Sequence, residues 1–156
     1  MKTSIIVLVI ILILIALGVY FWFSQRSEQQ TLTAALSGNQ NQTSLSYDIQ
    51  GMKVETLKQG TGEAAKVGDN IVVNYVGTLL DGTKFDSSID RNEPFAYTLG
   101  QNRVIQGWEL GLLGMKVGEK RKLTIPPELG YGAGGAGSVI PPNTTLIFEI
   151  DMLSIN

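Results

Sequence analysis

Apolar and polar positions divide the chain into three stretches. The first is an unbroken run from Ile5 to Phe23, 19 apolar or glycine residues behind a short flank at residues 1–4. At helical rise it spans roughly 28 Å, near the hydrocarbon thickness of a bilayer. Tyr20, Phe21, Trp22 and Phe23 crowd its far end, where aromatic side chains favour the membrane interface. A helix apolar on every side is out of place in the core of so small a protein. The pattern predicts a single transmembrane helix over 5–23, a signal anchor. A cleavable signal peptide is the rival. Lys2 supplies its charged start and Ala16-Leu17-Gly18 a small-x-small cleavage site, but the run continues past that site into the aromatic cluster. Lys2 and the amino terminus favour the cytoplasmic side, which puts the rest of the chain outside the cytoplasm; Arg26 opposes that orientation.

The second stretch, 24–51, is polar, with Gln, Ser, Thr and Asn dominant. It buries too little apolar surface to fold alone, so a flexible linker is expected, with a random-coil span of roughly 30 Å.

The third stretch, 52–156, alternates with the period of strands. Lys53 to Lys58 reads as a short strand, and Gly60-Thr61-Gly62 and Val67-Gly68-Asp69 as turns. Asn70 to Leu80 is the strongest strand, with Ile71, Val73 and Tyr75 pointing one way and Val72, Asn74 and Val76 the other. Asp81-Gly82 signals a hairpin that returns through Thr83 to Asp86. Ser87 to Pro94 is polar and reads as loop, Phe95 to Leu99 as strand. Val104 to Leu113 carries the one helical stripe, Ile105, Trp108 and Leu112, stopped by Gly114. Gly107 and Gly111 weaken that helix, so tertiary packing must hold it. Lys120 to Ile125 and Thr145 to Leu153 are the last strands, the latter with Leu146, Phe148, Ile150 and Met152 on one face. The fold class is α+β: a twisted antiparallel β-sheet wrapped around one short α-helix, preceded by the transmembrane helix. Strand and helix do not alternate, which argues against a doubly wound parallel sheet.

Composition narrows the chemistry. The chain has 156 residues, a formal net charge of −2, no cysteine and no histidine. The small net charge argues against a nucleic-acid partner. Zinc sites and histidine-based triads are excluded; no metal and no cofactor is expected. What remains is aromatic. Tyr131 opens a loop with glycines at 132, 134, 135 and 137, followed by Val139, Ile140 and Pro141-Pro142. A glycine-rich loop between an aromatic and apolar residues suits the rim of an apolar pocket, though surface loops of this kind also simply join strands. Tyr75, Phe85, Phe95, Trp108 and Phe148 sit at element edges or on strand faces, where each is either core or pocket wall. Asp86 adjoins Phe85, and Arg91 follows in the same loop, close enough to pair with it.

The order and spacing of Tyr75-Val76-Gly77, Asp81 to Ser88, Pro94-Phe95, Val104 to Glu109, Tyr131-Gly132-Ala133 and Ile140-Pro141-Pro142 are specific. Through them, Met52 to Ile155 resembles the FKBP-type peptidyl-prolyl cis-trans isomerases, the immunophilins that bind tacrolimus and rapamycin. The resemblance implies an isomerase acting on X–Pro bonds of folding polypeptides, here beside a membrane, with proline-containing polypeptides as substrates and the two macrolides as inhibitors. A peptide-binding or holdase module with little turnover is the alternative. The implied catalytic set is Tyr75, Phe85, Asp86, Arg91, Trp108, Tyr131 and Phe148. Substrate would also meet Phe95, Val104, Ile105, Val139 and Ile140. Trp108 would be the floor under the proline ring, and Phe85, Phe95 and Phe148 the walls. The Ile105 N–H and the Tyr131 hydroxyl would donate to substrate carbonyls. A monomer is expected. One departure stands out: Ala136 and Gly137 replace a histidine and a proline of well-known members, which implies a looser lid.

Overall fold

The computed structural model describes residues 45–156. The apolar run at 5–23 and most of the expected linker lie outside them. Among the described residues no helix is long and apolar enough to cross a membrane.

Nine strands form. They are β1 (Ser46–Ile49), β2 (Met52–Lys58), β3 (Thr61–Ala64), β4 (Asn70–Leu79), β5 (Lys84–Ser87), β6 (Phe95–Thr98), β7 (Lys116–Val117), β8 (Lys120–Ile125) and β9 (Leu146–Ile155). Seven build one antiparallel sheet in the order β1-β2-β8-β9-β4-β5, with β6 also on β4. β4 is long enough for two partners on one edge: Asn70 to Val73 pair with β6, and Val76 to Thr78 with β5. The remaining pair, β3 with β7, is a small separate ribbon.

Alternation sorts the sheet into faces as the pattern predicts. Ile71, Val73 and Tyr75 of β4 point inward with Leu146, Phe148, Ile150 and Met152 of β9, and all are buried. Helix α2 (Gln106–Gly111) lies on this inner face, two residues shorter at each end than the stripe suggests. Its glycines set how closely it lies. A Cβ on Gly107 would sit 2.5 Å from Ile125 Cγ2, and one on Gly111 would sit 2.6 Å from Leu123 Cδ1. The helix backbone therefore rests directly on β8, and Trp108 projects into the centre of the core.

Several segments differ from the expected pattern, among them Lys116–Val117, a turn in the sequence reading and the strand β7 in the fold. Ser46–Ile49, at the end of the presumed linker, is a strand: Tyr47 faces Val54 and Ile49 faces Met52 across a hairpin. Its turn residues Gln50 and Gly51 both have positive φ, 52° and 82°, as a type I′ turn requires, and Asp48 Oδ1 accepts the Gly51 N–H at 2.9 Å. Tyr47 and Ile49 alternate with Ser46 and Asp48, but the strand is only four residues long and mostly exposed at the sheet edge, so its pattern is too short to stand out from the polar stretch around it. Ser87 to Pro94 is not all loop. Helix α1 (Ser88–Arg91) is one turn, with Ser87 Oγ accepting the Asp90 N–H at 3.2 Å and Asn92 closing it at φ 52°. Thr61–Ala64, read partly as turn, is the ribbon strand β3.

A buried ion pair closes the lower end of the core. Arg121 lies on the inner face of β8 with Leu123 and Ile125. It donates to Glu119 Oε1 at 2.7 Å and to the carbonyls of Gly111 and Leu113 at 2.7 and 3.0 Å. Those carbonyls belong to the end of α2, where orphan acceptors need donors.

Candidate active site

The inner face, α2 and the loops around them enclose a pocket of about 210 Å³. Strand β4 contributes Tyr75, β5 Phe85 and Asp86, β6 Phe95, and β9 Phe148. The approach to α2 adds Arg103, Val104 and Ile105, the helix adds Trp108, and the glycine loop adds Tyr131. Trp108 lies at the bottom, buried, with three rings set edge-on around it: Tyr75 at 5.0 Å and 85°, Phe148 at 5.2 Å and 84°, Phe95 at 6.0 Å and 76°. Phe85 stands at 5.4 Å and 86° to Phe148. Perpendicular rings place positive edges on negative faces, which favours this arrangement and fixes the walls. Gly77 makes room for two of them, since a Cβ there would be 2.6 Å from Phe85 Cζ and 2.9 Å from Phe148 Cε1.

One wall is polar, and its charges cancel. Tyr75 Oη donates to Asp86 Oδ2 at 2.5 Å, Arg91 Nη1 donates to Asp86 Oδ1, and Arg91 Nη2 donates to Tyr75 Oη at 3.0 Å. The Ser87 N–H adds a bond to Asp86 Oδ1 at 2.8 Å. Burial works against the Asp86 carboxylate, yet the bonds from Tyr75 and Arg91 outweigh it and hold the carboxyl below its ordinary range. Burial pushes the Tyr75 phenol up, the bond to Asp86 adds to that, and Arg91 partly offsets it. Both shifts move ionisation away from neutrality.

Two residues outside the expected set hold this wall and the opposite rim. Ser88 is fully buried; its Oγ accepts the Tyr75 N–H at 2.9 Å and donates to Asn74 Oδ1 at 3.0 Å. The side chain takes over from the β4–β5 ladder where the chain turns into α1, and so aims Arg91 back at Asp86. Glu109, also buried, accepts the N–H of Gly100 at 2.7 Å and of Asn102 at 2.8 Å, tying the turn before Arg103 to α2. Ser87-Ser88-Ile89-Asp90 has the spacing of a helix N-terminus and could have disclosed α1. Nothing in the sequence marks Glu109 as more than a helical surface residue.

Of the twelve expected site residues, nine line the pocket, and Arg91 is bonded to two of them. Val139 and Ile140 are placed elsewhere: Val139 is exposed and Ile140 is buried in the core. The loop folds back on itself there. Ala136 and Ile140 exchange two backbone bonds, at 2.9 and 3.1 Å, and Asn143 N–H reaches Gly132 O at 2.8 Å. Gly135, at φ 63°, lets the strands of this loop meet, since a Cβ would be 2.3 Å from Ile140 O. Tyr131 stays half-exposed at the rim. The Ile105 N–H donates to no protein acceptor among the described residues. A larger hollow of about 320 Å³ on the outer sheet face, beside Leu80, Lys122 and Ile147, has no aromatic lining and no comparable network.

Comparison with known proteins bears on this geometry. A family model described as "FKBP-type peptidyl-prolyl cis-trans isomerase" matches residues 61–153. The FK506-binding protein of Neisseria meningitidis serogroup B is 56% identical over 105 residues, covering 67% of this chain and 96% of that protein. FK506-binding protein 1 of Dictyostelium discoideum is 51% identical over 104 residues, covering 67% and 97%. The crystal structure of FkpA from Escherichia coli superposes with a TM-score of 0.67 at 37% identity; 85% of this chain is covered, which spans 64% of that longer one.

Proposed function

The chain belongs to the FKBP-type peptidyl-prolyl cis-trans isomerases, and from that premise we propose that it turns over X–Pro bonds of folding polypeptides beside a membrane, in the pocket floored by Trp108. The observation that carries this is the aromatic box around Trp108 with the charge-neutral Asp86–Arg91–Tyr75 wall.

An X–Pro amide rotates over a barrier of about 20 kcal/mol set by amide resonance. The planar amide is charge-separated and well hydrated, and the twisted one less so. The aromatic walls of Phe85, Phe95 and Phe148 and the Trp108 floor replace that water and favour the twisted form by differential binding. Trp108 holds the proline ring from below. The Ile105 N–H, an orphan donor just ahead of a helix, holds a substrate carbonyl still, and the Tyr131 hydroxyl at the rim supplies a second donor. No proton moves, so the reaction needs neither the histidine nor the cysteine that the chain lacks.

Tacrolimus (FK506) and rapamycin occupy the same pocket as competitive inhibitors, a reading that the family membership supports for both and the names of the FK506-binding relatives support for the first. The chain works as a monomer. Its domain lies outside the cytoplasm, held by the apolar run at 5–23 as a signal anchor, a reading supported by the length of that run and its aromatic end. The test is an isomerisation assay of the full chain on a Leu–Pro peptide. Acceleration that tacrolimus abolishes is expected. Full activity in the chain carrying both Phe85→Ala and Phe148→Ala would sink the pocket assignment.

A further inference from the structure

We propose that Arg103 makes this isomerase selective for proline flanked by an acidic residue, so that its substrates include Glu–Pro or Pro–Glu segments. The inference rests on the isomerase reading of the pocket. Two arginines stand at the site, and they differ in what they are bound to. Arg91 is consumed by Asp86 and Tyr75, which leaves that wall neutral toward substrate. Arg103 lines the pocket and is exposed, and among the described residues no carboxylate lies within salt-bridge distance of it. Its backbone position is fixed, because Glu109 clamps the N–H groups of Gly100 and Asn102 just before it. It directly precedes Val104 and Ile105, which line the pocket in turn. The net charge presented at the mouth is therefore one uncommitted guanidinium, the group best suited to bidentate capture of a carboxylate. A substrate carboxylate directly before or after the bound proline would lie beside the pocket that Arg103 lines and could pair with it. The Asp86 carboxylate would repel such a substrate were Arg91 not neutralising it.

The full chain is assayed on two pairs of end-blocked peptides, Glu–Pro with Gln–Pro and Pro–Glu with Pro–Gln, comparing kcat/KM within each pair. An exposed ion pair corresponds to a preference of about two- to fivefold. In at least one pair the acidic-to-neutral ratio should be higher by about that factor in the wild type than in Arg103→Gln, and lower still in Arg103→Glu. The gap should close in about 1 M salt, where the screening length is about 3 Å. The pair that responds says on which side of proline the carboxylate sits. Ratios that coincide in wild type and Arg103→Gln for both pairs overturn the proposal, as does a gap indifferent to salt. A chain that accelerates none of the four peptides overturns the isomerase reading itself, an outcome distinct from equal ratios.

Discussion

At the scale of single residues, the polar wall is arranged so that neither Asp86 nor Tyr75 titrates near neutral pH. Asp86 has its ionisation moved down and Tyr75 has its moved up. For Asp86, the lowered folded value means its contribution to stability is present above the ordinary carboxylate range and is lost as pH falls through the folded value. For Tyr75, the raised value means its contribution is complete below about pH 10 and is lost as pH rises further. The rate constant on bound substrate should therefore be flat from about pH 5.5 to 8.5, a window that neither group enters. A bell-shaped profile of the isomerisation step in that window would refute the desolvation mechanism. Asp86→Leu should lower kcat/KM by releasing Arg91 and Tyr75 without creating a new pH dependence. Beneath the pocket, Tyr97 Oη and Trp108 Nε1 are buried with no hydrogen-bond partner among the described residues. An unpaired buried hydroxyl costs about 1 kcal/mol or more, so Tyr97→Phe should raise the urea midpoint by that equivalent while its ring keeps packing on Phe95 and Trp108. The pocket aromatics and Asp86 were legible because their motif spacing is specific. Arg103 and Glu109 were not, because a charged side chain near a turn looks the same in sequence whether it is solvated or committed. Arg121 differs: it stands a step of two from Leu123 and Ile125 and is buried with them, an alternation that the sequence carries.

At the scale of elements, the decisive contact is α2 on β8. Glycine at two helical positions weakens the helix as an isolated segment, yet here both glycines sit where a methyl group would strike the sheet. Gly107→Ala should push α2 off Ile125 and cost about 1–3 kcal/mol, typical of overpacking. Because Trp108 is the next residue, its displacement should also lower kcat on a Leu–Pro peptide. A Gly107→Ala chain as stable and as active as the wild type would mean that the helix has slack against the sheet. The long strands β4 and β9 were readable from alternation, since each buries one face against the other elements. β1, β3 and β7 were not, because they are four, four and two residues long and mostly exposed, too short for alternation to mark them. Nor does alternation mark the fold-back of the Val139–Ile140 loop, whose geometry comes from two main-chain bonds and a glycine contact.

At the scale of the whole molecule, the domain begins earlier than its composition suggests. Strand β1 pairs with β2 along Ser46–Ile49, and the Thr56 N–H reaches Leu45 O at 2.9 Å. A protease should therefore cut upstream of Leu45 and leave β1 on the isomerase fragment; a stable fragment beginning near Met52 would mean the β1 pairing contributes nothing. The apolar run at 5–23 leads to the last expectation. Nineteen apolar or glycine residues ending in four aromatics are long enough to cross a bilayer, and a polar segment of 24–45 then separates them from the first strand. The full chain should stay with membranes through high-salt and alkaline extraction, while the protease-released fragment should be soluble and keep its kcat/KM on a Leu–Pro peptide. Such a result makes the run an anchor that sets where the pocket works and not how fast. A mature soluble protein beginning near Val19 would identify the run as a cleaved signal peptide, and the isomerase would then act free of the membrane.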